Sequence, residues 1–135
     1  MRRLLSAISL LLSCVTAAHA GETGASPVTR AVFTTGIQQA EPVDTLSELR
    51  SGAEQVFLFT ELRGMRGEVL VHTWEYKGSV IARIHLPVEQ PDARVWSGRL
   101  LTPDLQGSWR VVITNAAGTV LGEKTLDYNP DDLSF

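Results

Sequence analysis

A chain of 135 residues with formal net charge −3, 44% hydrophobic and 20% charged residues is sized for one domain around a single core, and it lacks the low hydrophobicity of a disordered protein. Arg2 and Arg3 precede residue 20 and every acidic residue follows it, so a chain cut there keeps ten basic and fifteen acidic residues, a net charge of −5. That balance argues against nucleic acid as a partner, because phosphate binding needs a basic face.

Residues 1–20 read as an export signal. Met1-Arg2-Arg3 is the positive start, Leu4 to Val15 the apolar stretch, and Ala18-His19-Ala20 a small-x-small cleavage site. The apolar run is too short for a comfortable membrane span, so cleavage between Ala20 and Gly21 is expected, with no transmembrane segment left. The destination is the periplasm or the exterior. Cys14 is the single cysteine and leaves with the signal, which removes thiol, disulfide and thiolate metal chemistry from the mature chain. The alternative is a lipid anchor at Cys14, because Leu11-Leu12-Ser13-Cys14 resembles a lipobox. Leu12 is unusual in that slot, and the Ala18-His19-Ala20 site favours soluble export.

Residues 21–27 are small and polar and read as a flexible leader. From Val28 the pattern changes to seven β-rich runs broken by turn residues: 28–35, 55–62, 68–76, 79–88, 94–100, 108–114 and 119–127. One helix is expected between the first two, where Thr45-Leu46-Ser47-Glu48 fits a capping box and Gly52 a stop. Lys77-Gly78 suits a two-residue hairpin loop. Setting Tyr76 opposite Ser79 then pairs Glu75 with Val80, Thr73 with Ala82, Val71 with Ile84 and Val69 with Leu86, and that apolar face is the expected core. The other face gathers Leu70, His72, Trp74 and Tyr76 with Ile81, Arg83 and His85. Trp109, Val111 and Ile113 alternate on one side of their run as core residues. Residues 129–135 read as a frayed acidic tail. The resulting fold is an all-β, immunoglobulin-like antiparallel sandwich over 28–128, with a small closed barrel as the alternative.

Six segments stand in order along the chain: Phe33-Thr34-Thr35-Gly36-Ile37, Glu41-Pro42-Val43-Asp44, Phe59-Thr60-Glu61-Leu62-Arg63-Gly64-Met65, His72-x-Trp74-x-Tyr76, Arg94-Val95-Trp96-Ser97 and Gly107-x-Trp109-x-Val111. Together they resemble the bacterial domain of unknown function 2914 family. The resemblance covers nearly all of the mature chain. It departs from the family pattern at Thr73, where an arginine is more usual, and at Ala93, where an aromatic often precedes the Arg-x-Trp-Ser run. It implies a small exported or membrane-associated β domain and brings no activity, ligand or catalytic residue.

The candidate binding face is the cluster His72, Trp74, Tyr76, Arg83 and His85, whose rings and hydrogen-bonding groups suit a glycan or a peptide. The competing reading buries these side chains under the second sheet. As diagonal neighbours His72 and His85 would offer two nitrogens to a metal, but a zinc site wants three or four ligands, and no metal or other cofactor is expected. A second candidate is Arg63-Gly64-Met65-Arg66-Gly67, where Arg63, Arg66 and backbone N–H groups would hold an anion, against a plain hairpin connection. Glu61 with Glu75, or Glu41 with Asp44, are the only carboxylate pairs to weigh for catalysis, and no nucleophile elbow, zinc helix or phosphate loop accompanies them. Trp96 and Trp109 are expected to pack between the sheets. The function expected is a noncatalytic recognition or accessory domain of the cell envelope that binds a glycan or a protein. The alternative is an assembly factor whose sheet edge pairs with another envelope protein, and a hydrolase comes third.

Overall fold

The computed structural model describes residues 25–130. Residues 1–24, which include the expected export segment and Cys14, and residues 131–135 lie outside the described residues. The chain runs through ten strands: β1 (Val28–Thr34), β2 (Ile37–Gln38), β3 (Glu41–Pro42), β4 (Glu48–Leu49), β5 (Glu54–Arg63), β6 (Val69–Tyr76), β7 (Ser79–Pro87), β8 (Asp92–Leu101), β9 (Gly107–Asn115) and β10 (Val120–Tyr128). Its one helical element among the described residues is a 3-10 turn at Pro103–Leu105, so the fold is all-β. The seven long strands coincide with the seven β-rich runs, each ended by the turn residues that break a ladder.

The strands form a three-stranded sheet in the order β1-β5-β8 and a five-stranded sheet in the order β4-β10-β9-β6-β7, with β2 and β3 as a separate small hairpin. All long neighbours are antiparallel, and only the short β4 runs parallel to β10. The two sheets face each other across one core. Val56, Leu58, Leu62 and Leu101 come from the first sheet, and Leu70, Trp74, Trp109, Val111, Ile113 and Leu126 from the second, all buried. Trp74 is central, edge-on to Phe33 at 6.0 Å and to Trp109 at 6.4 Å between ring centroids. Large aromatics in this geometry bury area and gain from quadrupole contacts.

The expected helix after Thr45 is absent. Leu46 instead donates its N–H to the Phe33 carbonyl at 2.8 Å, and Leu49 lies buried in β4, opposite Tyr128 of β10. Glu48 does not reach back to Thr45 but pairs with Arg50 at 3.4 Å. The physical reason is length and company. A helix of about eight residues is marginal alone, whereas extended backbone finds partners on the free edge of β1 and on the free edge of β10. This segment therefore joins the two sheets along one side of the fold.

The β6–β7 hairpin turns through Lys77 and Gly78, both at positive φ (48° and 83°), as a two-residue loop requires. Tyr76 faces Ser79 and Glu75 faces Val80, as expected. The register then shifts by one between Trp74 and Glu75, so Trp74 pairs with Ala82, His72 with Ile84 and Val71 with His85. A bulge of this kind, here at Ile81, exchanges the faces of everything beyond it on its own strand. The core face is also the reverse of the expected one. Leu70, His72 and Trp74 point inward, while Glu75 on the outer face pairs with Arg110 of β9 at 2.8 Å, which reaches Glu123 of β10 at 3.4 Å. Burying Leu70 and Trp74 removes more apolar area from water than burying Val69 and Val71 would, and it leaves the charged Glu75 on the outer face.

Candidate functional site

The bulge and the reversed faces divide the residues that sequence pattern had grouped. His72 and Trp74 are 0% and 1% exposed, and Tyr76 is half-buried, stacked on Trp109 at 4.8 Å and donating its hydroxyl to the Gln106 carbonyl at 2.6 Å. Arg83 and His85 stand exposed on the opposite face, beside Thr73 and Val71. His72 and His85 are therefore not diagonal neighbours, and among the described residues no group of three His, Cys, Asp or Glu side chains is placed to hold a metal ion.

His72 anchors a buried polar chain between the sheets. Its Nδ1 lies 2.7 Å from the Ser97 hydroxyl of β8 and its Nε2 3.3 Å from the Thr60 hydroxyl of β5. The Trp74 indole N–H donates to the same Ser97 oxygen at 2.9 Å, and Thr60 donates to the Val95 carbonyl at 2.8 Å. Because Thr60 gives its one hydroxyl proton to Val95, it accepts from Nε2–H of the imidazole; Nδ1 is then the acceptor, and Ser97, which accepts from the indole, donates to it. Every bond in the series then has one donor and one acceptor. Desolvation pushes the His72 pKa down to about 4, so the ring is neutral. This serine–histidine contact is no hydrolytic centre, because both groups are sealed in the core with their bonds already allotted.

The Arg63–Gly67 loop is a strand connection. Gly64 and Gly67 take positive φ (74° and 83°), their N–H groups donate to the carbonyls of Pro91 and Val88, and Met65 inserts into the core. Arg63 and Arg66 are exposed, but the glycine amides are not free for an anion. The carboxylates are engaged as well. Glu41 and Glu61 share Arg30 and Arg94 in a four-membered ion-pair ring, with N–O distances from 2.6 to 3.3 Å. The Arg30 hydrogen bond holds the Glu61 carboxyl below its ordinary pKa, against the opposing effect of burial. Asp44 accepts from the Thr34 hydroxyl, the Thr35 N–H and the Thr35 hydroxyl at 2.6, 2.8 and 2.5 Å. Glu75 is the partner of Arg110. These are joints, and none of the pairs faces a cleft as acid and base.

What the fold leaves open is the side opposite the 45–50 segment. β7 ends the five-stranded sheet and β8 ends the three-stranded one, and among the described residues no strand pairs with either outer edge. Five of the seven large apolar side chains exposed among the described residues lie on these two strands: Val80, Ile81 and Ile84 on β7, and Trp96 and Leu100 on β8. Two cavities lie along this side. One of about 190 Å³ is lined by Leu86, Pro87, Arg94, Val95 and Trp96. The other, of about 510 Å³, adds Glu61, Arg63, Glu89 and Asp92 and shares Pro87, Arg94 and Val95 with the first, so the two form one trough. Trp96 was expected between the sheets, yet it is 38% exposed, its ring stacked on Phe59 at 6.3 Å. The signal that would have found it is the alternation Ala93, Val95, Ser97: once Ser97 is bonded to Trp74 inside, Trp96 must face out. Free edges, a trough with an apolar end at Leu86, Pro87 and Val95, and an exposed ring are the ingredients for adding a strand.

Residues 67–127 match a family described as Protein of unknown function (DUF2914). The resemblance seen in the sequence is borne out over that span, which carries the His72, Arg94 and Gly107 motifs. The three earlier motifs, which build β1, the β2–β3 hairpin and β5, precede it. No curated protein matches the chain.

Proposed function

We propose that this DUF2914-family protein is a noncatalytic recognition module of the cell envelope that docks an extended segment of another protein along its open β7–β8 side. The reading rests on one observation: the exposed apolar side chains gather on the two strands whose outer edges are unpaired, while the opposite side is occupied by the 45–50 segment. Export is proposed from the charged, apolar and small-x-small order of residues 1–20. No helix among the described residues is long and apolar enough to cross a membrane.

An immunoglobulin-like sandwich is the architecture we assign. Counting long strands only, one sheet takes the first, second and fifth, and the other takes the seventh, sixth, third and fourth. This order supports the assignment, with the fourth strand sitting beside the third. A glycan is a second reading favoured by the exposed Trp96 ring, since a flat aromatic face can stack on a sugar.

Two measurements test the proposal. A photocrosslinking residue at His85 of β7 should yield one discrete adduct in cells, lost with Ile84→Pro, while the same group at Lys124 of β10 should yield none. Equal labelling at both positions, or none at either, would overturn docking at this edge. Co-sedimentation of the purified protein with cell-wall sacculi, lost in Trp96→Ala, would transfer the assignment to the glycan reading.

A further inference from the structure

The chemistry of the incoming segment is legible in β7, taking the docking reading above as its basis. The bulge at Ile81 and the ring of Pro87 bracket the stretch able to carry a ladder, Ala82 to Leu86, because a bulge and a proline each interrupt strand pairing. Within it the side chains alternate. Ala82, Ile84 and Leu86 lie on the inner face opposite Trp74, His72 and Leu70, next to the trough lined by Val95 and Trp96. Arg83 and His85 lie on the outer face.

Arg83, like Arg63 of β5 and Arg99 of β8, has no acid paired with it among the described residues. Arg30, Arg94 and Arg110 each meet a carboxylate within 4 Å, whereas Arg83 has Thr73 as its cross-strand neighbour and His85 has Val71. Among the described residues no ion pair is formed by Arg83. A strand added to β7 would bring its own side chains directly opposite, alternating between the same two faces.

A second copy of the chain is a poor occupant. Antiparallel pairing of two β7 strands centred on Arg83 sets Arg83 against Arg83, and centring on Ile84 sets Arg83 against His85. Both place bases opposite each other. We infer that the segment β7 receives belongs to a different protein and alternates apolar side chains, set beside Ile84 and Leu86, with acidic ones set opposite Arg83 and His85. The acids are confined to the middle of the segment, because the far end of the trough carries Glu89 and Asp92.

Three synthetic eight-residue strands test this, with the same β-branched apolar positions and with glutamate, glutamine or lysine between them. Each is titrated into the purified, isotope-labelled protein at about 20 mM salt, where surface charges are weakly screened. The expected result is amide shifts confined to 82–86 and to the neighbouring 93–97, with the glutamate strand binding about tenfold more tightly than the lysine strand. Arg83→Glu, on an exposed position, should reverse that order. Equal affinity of the three strands would overturn the acidic assignment and leave edge docking standing. Absence of any shift on β7 with all three would overturn both.

Discussion

The imidazole of His72 is held by two hydroxyls, one committed to the Val95 carbonyl and the other accepting the Trp74 indole N–H, so that Nε2 donates and Nδ1 accepts. Protonation of Nδ1 would take away the acceptor of the Ser97 hydroxyl proton and would put a charge into the core. The pH dependence follows from the folded pKa of about 4 and an unfolded value of about 6.5. Between those values the unfolded chain binds more protons, so stability is complete above about pH 6.5 and falls as the pH drops toward 4. Urea unfolding at pH 7 and pH 5 should differ by about 2 kcal/mol from this group. His72→Gln should flatten that difference, and a slope unchanged in the variant would show that the proton goes elsewhere.

Among the elements, the β2–β3 hairpin is tied down by the Asp44 clasp and the Arg30–Glu41–Arg94–Glu61 ring. Burial works to raise the Asp44 pKa, but the bonds from Thr34 and Thr35 outweigh it and hold the carboxyl below its ordinary value. The clasp therefore stabilises at neutral pH and is lost as the pH falls below about 4. Asp44→Ala removes the acceptor of the Thr35 N–H and hydroxyl, while the Thr34 hydroxyl keeps the Gly36 carbonyl; this should cost about 1–3 kcal/mol and speed hydrogen exchange at the Val43 and Leu46 amides. Exchange there at the parent rate would mean that the ion-pair ring alone holds the hairpin. The elements also show where sequence pattern succeeds and fails. The seven long strands were legible because Gly, Pro and Asn-rich breaks punctuate them, and the Lys77–Gly78 turn because its geometry is local. The 45–52 segment was misread because its capping signal is local, while the pairing that overrides it comes from β1 and β10, far away in sequence. Beyond Trp74 the register was lost to one extra residue at Ile81, for which an alternating pattern carries no mark. The open edge was legible only as a possibility, since which strand ends a sheet depends on the order of all of them.

As a whole molecule the protein is one core shared by two sheets, crossed by the Thr60–His72–Ser97–Trp74 chain. Unfolding should therefore be a single transition, with tryptophan fluorescence and far-ultraviolet circular dichroism coinciding in urea. Trp74→Ala should lower stability by about 3–5 kcal/mol, whereas Trp96→Ala, which removes a part-exposed ring stacked on Phe59, should cost about 1–2 kcal/mol. Similar losses for the two would contradict the burial of one and the exposure of the other.

The parallel contact of β4 with β10 bears on how the domain carries a load. Asp127 and Asn129 donate to the carbonyls of Ser47 and Leu49, lacing the last strand to a segment near the start of the fold. A pull on the end of β10 along its own axis loads these bonds in shear together with the β9 ladder, so they do not peel one by one. The short strand found where a helix was expected thus adds a second neighbour that the last strand must slide past before it leaves the sheet.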